Sequence, residues 1–398
     1  MTIQNSTQGL NFADDAGGGS LNQLSNAQTI ATGTHSWVLE VDAAGNWSYS
    51  IDGATATTGA STFNVARDFQ FVAYMQDNHT DFIRAEEITT SISALQEEFL
   101  TWEFGLFIHF NMATFNERQW ATGTEDPASF TPTALDCNQW IDAAVDAGMK
   151  YAVLTVKHTG GWCLWDSGHT ESHDITAFTN YENGQGDIVR DFVNACRERD
   201  VKVGFYYCLP GDFARRNLPP GEEDLLHGLP PEAAGQYTEF IKKQLTELLT
   251  DYGPIDLMWF DQYENKYTGG DWRDIKDHVK SLQPRCLVIA NNSENYGDTD
   301  LHSYEYGWRL ANGLPALPAE GNVDPSEVAD NIGNGWFWTS AARAENMDSA
   351  EAVVDLLEVC NSRRANYLLN VAPDNTGLIP DWGVARLQEI GQLRGAAN

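Results

Sequence analysis

The chain of 398 residues reads as a (β/α)8 barrel of the TIM type preceded by a small all-β segment, on three observations. First, four short apolar runs each finish on a residue that can do chemistry or bind polar groups: Phe104-Gly-Leu-Phe-Ile-His109, Tyr151-Ala-Val-Leu-Thr-Val-Lys-His158, Val201-Lys-Val-Gly-Phe-Tyr-Tyr-Cys208 and Ile255-Asp-Leu-Met-Trp-Phe-Asp261. Continuous apolar strands are expected where helices cover both faces of a parallel sheet, and a barrel gathers its catalytic groups at the C-terminal strand ends. Second, the segments between the runs have helical periodicity. Third, the length accommodates one barrel of about 250–300 residues plus one small domain.

In chain order, residues 1–24 are rich in Asn, Gly, Ser and Gln, a composition expected to lack fixed structure. Residues 25–95 form the β-rich part, because Ser36-Trp-Val-Leu-Glu-Val-Asp42, Asn46-Trp-Ser-Tyr-Ser-Ile51 and Asp68-Phe-Gln-Phe-Val-Ala-Tyr74 alternate or run apolar between Gly- and Thr-rich turns. This stretch resembles the closing strands of a jelly-roll, lectin-like module, possessing no opening half. It is either a structural appendage or a carbohydrate-binding module, and exposure of Trp37 or Trp47 would favour the second.

Residues 96–398 hold the barrel. Cys137 to Gly148 is an amphipathic helix through Trp140, Ile141, Ala144 and Val145, with a glycine to stop it. Asp187 caps a second, carrying Ile188, Val189, Phe192, Val193 and Cys196. Tyr237 to Asp251 makes a third through Phe240, Ile241, Leu245 and Leu248. Strand, helix, strand, helix is the rhythm of a parallel α/β protein.

The formal charge of −33 argues against nucleic acid or an anionic membrane surface as a partner, since both require a positive face. No run approaches eighteen apolar residues, and Met1-Thr-Ile-Gln-Asn5 carries neither the basic nor the apolar part of a signal peptide. Six scattered cysteines without a CxxC pair indicate neither a zinc site nor a disulfide framework. His109 and His158 end different strands, and His169 with His173 lies in a loop-like segment, so no metal site is expected. A Ser elbow, a phosphate loop and a dinucleotide fingerprint are all missing.

What remains is a polar, aromatic rim with carboxylates, the equipment of a glycoside hydrolase. Asp261 closes the run Leu257-Met-Trp-Phe, where a charge is costly unless it faces a polar cavity. The second acid is sought downstream. Glu305, among the aromatics of His302-Ser-Tyr-Glu-Tyr-Gly-Trp308, is placed to have its pKa raised by desolvation; its rival is Glu320 in Leu317-Pro-Ala-Glu320.

From about Leu100 to Leu393 the chain resembles the α-L-fucosidases of glycoside hydrolase family 29, nearest the branch acting on α-1,3/1,4-linked fucose. Seven ordered blocks carry the resemblance. They are Phe104–His109, Gly123–Asp136, Ala147–His158, Cys163-Leu-Trp165, Gln244–Asp261, Gly335-Trp-Phe-Trp338 and Asn366-Tyr-Leu-Leu-Asn-Val-Ala-Pro-Asp-Asn-Thr-Gly377.

The resemblance implies retaining double displacement with Asp261 as nucleophile and Glu305 as acid/base, and no metal or organic cofactor. It also implies that His109, His158, Tyr206, Trp336 and Trp120 line the sugar pocket, that the partner is a fucosylated glycan, and that the protein is secreted or periplasmic. Two positions depart from the pattern. Thr159 stands where relatives often carry a second histidine, and Gln119 where they carry a carboxylate. Both fall at expected sugar contacts, so a glycosidase for a fucose-like sugar such as α-L-galactose, or a silent sugar-binding relative, stays as an alternative.

Overall fold

A computed structural model describes residues 92–170, 173–209, 231–262 and 270–395, with 231–237 and 270–271 by backbone alone, and the backbones of eight strands between residues 2 and 88. The chain divides into two compact units, Met1–Ser93 and Ala94–Asn398.

In the first unit, Leu21–Gln23, Gly9–Asp15, Thr2–Ser6, Phe82–Ile88 and Asp68–Tyr74 form one antiparallel sheet in that order. Trp37–Val41, Asn46–Ile51 and Ala54–Ala60 form another. Three of these strands fall within residues 1–24, where composition predicts no fixed structure. The exposure of Trp37 and Trp47 lies outside the described residues.

The second unit is the barrel. Its strands are β1 (Phe104–Ile108), β2 (Tyr151–Lys157), β3 (Lys202–Cys208), β4 (Leu257–Asp261), β5 (Leu287–Ala290), β6 (His302–Glu305), β7 (Ser326–Asn331) and β8 (Ala365–Asn370). They pair in parallel in the order β5-β4-β3-β2-β1-β8-β7-β6. The helices are α1 (Ile92–Leu100), α2 (Cys137–Asp146), α3 (Ile188–Glu198), α4 (Pro231–Thr250), α5 (Gly270–Leu282), α6 (Tyr306–Ala311), α7 (Ala350–Ser362) and α8 (Asp381–Arg394).

Side chains on successive strand residues point to opposite faces, and this chain uses both. Leu106, Ile108, Val203, Phe205, Met258 and Phe260 pack in one cluster with helix residues Trp140, Ile141, Ile188, Phe192, Ile241 and Leu245. Phe107, Tyr151, Val153, Tyr206, Leu257, Trp259 and Ile289 fill the interior, joined by Leu95, Phe99 and Trp102 of α1 and the residues after it. Gly105 is required there, because a Cβ on it would lie 2.4 Å from the Tyr151 ring.

β5 and β6 share no ladder. Side chains stitch that seam instead: Val288 N donates to the Asp300 carboxylate (2.9 Å) and Ala290 N to the Thr299 hydroxyl (3.1 Å), with one backbone bond beside them from Ser303 N to Ser293 O (2.9 Å). Asp300 is buried and neutralised by Lys276 and Lys280.

The helix ends follow local chemistry. Asp136 caps α2 through Asn138 N and Asp187 caps α3 through Arg190 N, both at 2.9 Å, satisfying amides that have no partner within the helix. α4 begins at Pro231, six residues before the apolar periodicity starts, since proline fits a first turn whose amide is unpaired in any case. All six cysteines are free and buried.

Candidate active site

The period-two alternation that buries Trp259 and Ile289 inside the barrel brings Asp261, Asn291 and Glu305 to the interior at the C-terminal rim. β2 breaks the rule with a register shift between Thr155 and Lys157. The shift turns Lys157 outward onto the Tyr207 hydroxyl (3.0 Å) and leaves His158 facing the cavity, the re-aiming that bulges beside active sites provide.

These groups line a cavity of about 240 Å³ whose floor includes Phe107 and Trp259. That is smaller than the roughly 300–1,000 Å³ of drug-sized ligand sites, and matches one sugar ring better than an oligosaccharide.

Three donors hold Asp261. Tyr206 OH gives to Oδ2 (2.7 Å), while Gln262 N (2.8 Å) and Asn291 Nδ2 (3.0 Å) give to Oδ1. The same Asn291 nitrogen donates to Glu305 Oε2 at 2.8 Å. Two bonds of 3.0 and 2.8 Å to one nitrogen keep those carboxylate oxygens within 5.8 Å of each other. Burial, then the Asp261 charge, pushes the Glu305 carboxyl up to about 7, against the pull of hydrogen bonds from Asn291, Asn292 and Trp336. Glu305 can therefore carry a proton near neutrality. The side-chain oxygen of the same amide, Asn291 Oδ1, is buried and has no partner in the protein.

The histidines are neutral. Burial lowers His158 to about 3, and burial reinforced by His158 holds His109 well below the usual imidazole range. Asn370 settles the His109 tautomer. Its Nδ2 donates to Trp336 O (2.8 Å) and Gly335 O (3.3 Å), so its Oδ1 accepts from His109 Nδ1 at 2.8 Å. Nε2 of His109 is then the unprotonated nitrogen, an acceptor for a hydroxyl. The His158 ring stacks on Tyr206 at 5.3 Å, and Tyr206 on Trp259 at 5.4 Å, which fixes the donor to Asp261 between two rings.

Of the other expected site residues, Trp336 and Trp120 line the cavity. Gln119 also lines it, but its amide is a clamp on the 335–337 loop: Nε2 donates to Phe337 O (2.9 Å), and Oε1 accepts from Trp336 N (2.8 Å) and Phe337 N (3.0 Å). A carboxylate cannot make the first of these bonds. Gln119→Glu should therefore leave the Phe337 carbonyl facing a charge, cost about 1–3 kcal/mol and lower the melting temperature by a few degrees, which thermal denaturation would register. Thr159 does not line the cavity; its hydroxyl lies 3.1 Å from His158 Nδ1 and steadies that ring. Glu320 is set aside as an alternative acid, because its side chain is 92% exposed beside Arg363, away from the cavity.

Sequence reasoning missed Asn291, Asn292, Asn370 and Trp308. A fifth apolar run, Leu287-Val-Ile-Ala290, ends on Asn291-Asn292 just as the first four end on polar groups, and that was the available signal. Among the described residues no group of three or more His, Cys, Asp or Glu side chains is placed to hold a metal ion.

The family model described as Alpha-L-fucosidase matches residues 124–395. Similar proteins include Alpha-L-fucosidase 1 of Arabidopsis thaliana, 28% identical over 320 residues, covering 74% of this chain and 59% of that protein. Plasma alpha-L-fucosidase of Homo sapiens is 37% identical over 284 residues, covering 66% and 54%. The chain thus spans somewhat over half the length of these curated relatives. The solved structure of alpha-L-fucosidase isoenzyme 1 from Paenibacillus thiaminolyticus superposes with a TM-score of 0.62 at 28% identity, covering 76% of each chain. The family model spans more than two thirds of the sequence and takes in seven of the eight barrel strands, with the ends that carry Asp261 and Glu305, and the chain belongs to the α-L-fucosidase family, glycoside hydrolase family 29.

Proposed function

We propose that this protein is a retaining glycoside hydrolase that releases terminal α-L-fucose from oligo- or polysaccharides. The observation that carries the reading is the single Asn291 nitrogen bonded to both acids. Retaining enzymes hold their carboxyl groups about 5–5.5 Å apart and inverting ones roughly 6.5–9.5 Å, to leave room for a water. A single amide nitrogen bonded to both acids draws them into one site, and the upper limit of 5.8 Å on the bridged oxygens includes the separation of the first class.

In the first step an Asp261 oxygen attacks the anomeric carbon while Glu305 gives its proton to the departing glycosidic oxygen. In the second, Glu305 takes a proton from water, whose oxygen displaces Asp261 and regenerates both acids. Neutral His109 accepts from a ring hydroxyl, and the apolar floor of Phe107 and Trp259 receives the methyl of a 6-deoxy sugar. That floor disfavours L-galactose, whose extra hydroxyl would be buried without a partner. The ordered blocks favour α-1,3/1,4-linked fucose, and a silent sugar-binding role gives no reason to keep the Asp261–Asn291–Glu305 arrangement.

The test is hydrolysis of α-L-fucosyl and α-L-galactosyl fluorides and of disaccharides with 1,2, 1,3, 1,4 and 1,6 linkages. The reading expects the fucosyl fluoride to be preferred and the 1,3 and 1,4 linkages to be cleaved fastest. Preference for the galactosyl fluoride would move the glycone to L-galactose.

Asn291 gives a further check. Its hydrogen bond lowers the Glu305 pKa, so Asn291→Ala should move the alkaline limb of the pH–rate profile upward. Losing donors to two acids should also cut kcat/KM by roughly tenfold to a hundredfold.

A further inference from the structure

β7 puts a carboxylate into the barrel interior. Val328 packs toward the helices and Ala329 inward, so by alternation Glu327 also points inward, where it is fully buried. Among the described residues no cation pairs with it. Its partners are two neutral donors, Tyr151 OH to Oε2 at 2.8 Å and Trp259 Nε1 to Oε1 at 2.7 Å. Burial pushes the carboxyl up to about 7, against the pull of those two bonds. An apolar side chain would avoid that cost, and the two displacement steps make no use of this acid.

One of its partners is the floor of the active site. Trp259 lines the cavity, whereas Glu327 does not. Tyr206 stacks on the indole at 5.4 Å with 20° between the planes, and Phe107 meets it edge-on at 5.2 Å. Contacts of this kind fix the tilt of a ring and leave it free to slip or turn in its own plane. The bond from Nε1 removes that freedom. It also draws the indole's one polar atom down to a group that has no surface on the cavity.

We infer that Glu327 is a positioning residue that sets glycone specificity: by holding the Trp259 N–H inside the barrel, it keeps the floor apolar for the methyl of a 6-deoxy sugar and unwelcoming to the hydroxymethyl of L-galactose. This rests on fucose as the glycone, as proposed above. Without Glu327 the buried N–H has no acceptor, and the ring turns until its nitrogen meets water or a ligand hydroxyl. A donor on the floor then serves the C6 hydroxyl of L-galactose and does nothing for fucose. The Trp259 bond does not depend on the charge of Glu327. A proton on Oε2 faces the Tyr151 hydroxyl, which accepts as well as donates, and the amide nitrogen of Glu327→Gln would sit in the same place.

The test is the ratio of kcat/KM on α-L-fucosyl fluoride to that on α-L-galactosyl fluoride, which share a leaving group and differ only at C6. An apolar pocket rejects an added hydroxyl by about a hundredfold, and Glu327→Leu should bring the ratio down by about tenfold. Glu327→Gln and Tyr151→Phe both keep an oxygen on Trp259 Nε1 and should hold the ratio within about twofold of wild type. If Glu327→Leu does not fold, Glu327→Leu combined with Tyr151→Phe takes its place, since the pair strands one donor rather than two. An unchanged ratio in the leucine variant, or a fall of about tenfold in either conservative variant, would overturn the positioning role and leave the fucosidase reading standing. Wild-type enzyme that prefers the galactosyl fluoride would overturn the fucose reading and this role with it.

Discussion

Asp261→Ala should cut turnover of any α-L-fucoside by several orders of magnitude and leave the fold intact. The aspartate ends β4 at the half-buried rim of a cavity, so its removal frees Tyr206 OH, the Gln262 amide and Asn291 to bond water rather than stranding them in a core. The missing function is attack on the anomeric carbon, which no neighbouring group replaces. Azide entering the vacated space should restore part of the rate by attacking that carbon itself. The product would be the β-fucosyl azide, inverted because a single displacement has replaced two. Near-normal activity in the variant, or no rescue by azide, would count against Asp261 as nucleophile.

Glu305→Gln should cost about 10²- to 10⁴-fold on substrates with a poor leaving group and far less on the fluoride, which needs little protonation to depart. The pH dependence follows from the raised carboxyl. A general acid works only while protonated, so with a value of about 7 the wild-type rate should fall as pH rises through 7. That alkaline limb should vanish in Glu305→Gln, since the amide does not titrate. A limb that persists in the variant would belong to another group.

The architecture was legible because buried parallel strands announce themselves as apolar runs, and Asp261 because a charge closing such a run needs a polar cavity. Helix α2 was readable from its apolar face and the glycine that stops it, and α3 from its capping aspartate and apolar face. The seam between β5 and β6 was not, since Thr299 and Asp300 act there as surrogate strand groups and nothing in their types reveals it. Asn291 was not legible because its type carries no charge to mark it, and its importance is geometric: one uncharged amide between two acids. Gln119 illustrates the opposite limit. Read as a lost sugar contact, it is a loop clamp whose partners, Trp336 and Phe337, lie more than 200 residues away in sequence. Thr159 likewise acts through the ring of its neighbour, His158, a role that only the fold can assign.

The most direct test of double displacement at Asp261 is peptide mapping after incubation with 2-deoxy-2-fluoro-α-L-fucosyl fluoride. The fluorine on C2 slows both steps, and the good leaving group lets the first outrun the second, so the glycosyl-enzyme accumulates. Asp261 should carry the fluorosugar as an ester in the peptide spanning Leu257–Asp261, the protein gaining one sugar unit. An adduct on any other residue, or turnover of the probe with no adduct formed, would contradict the mechanism.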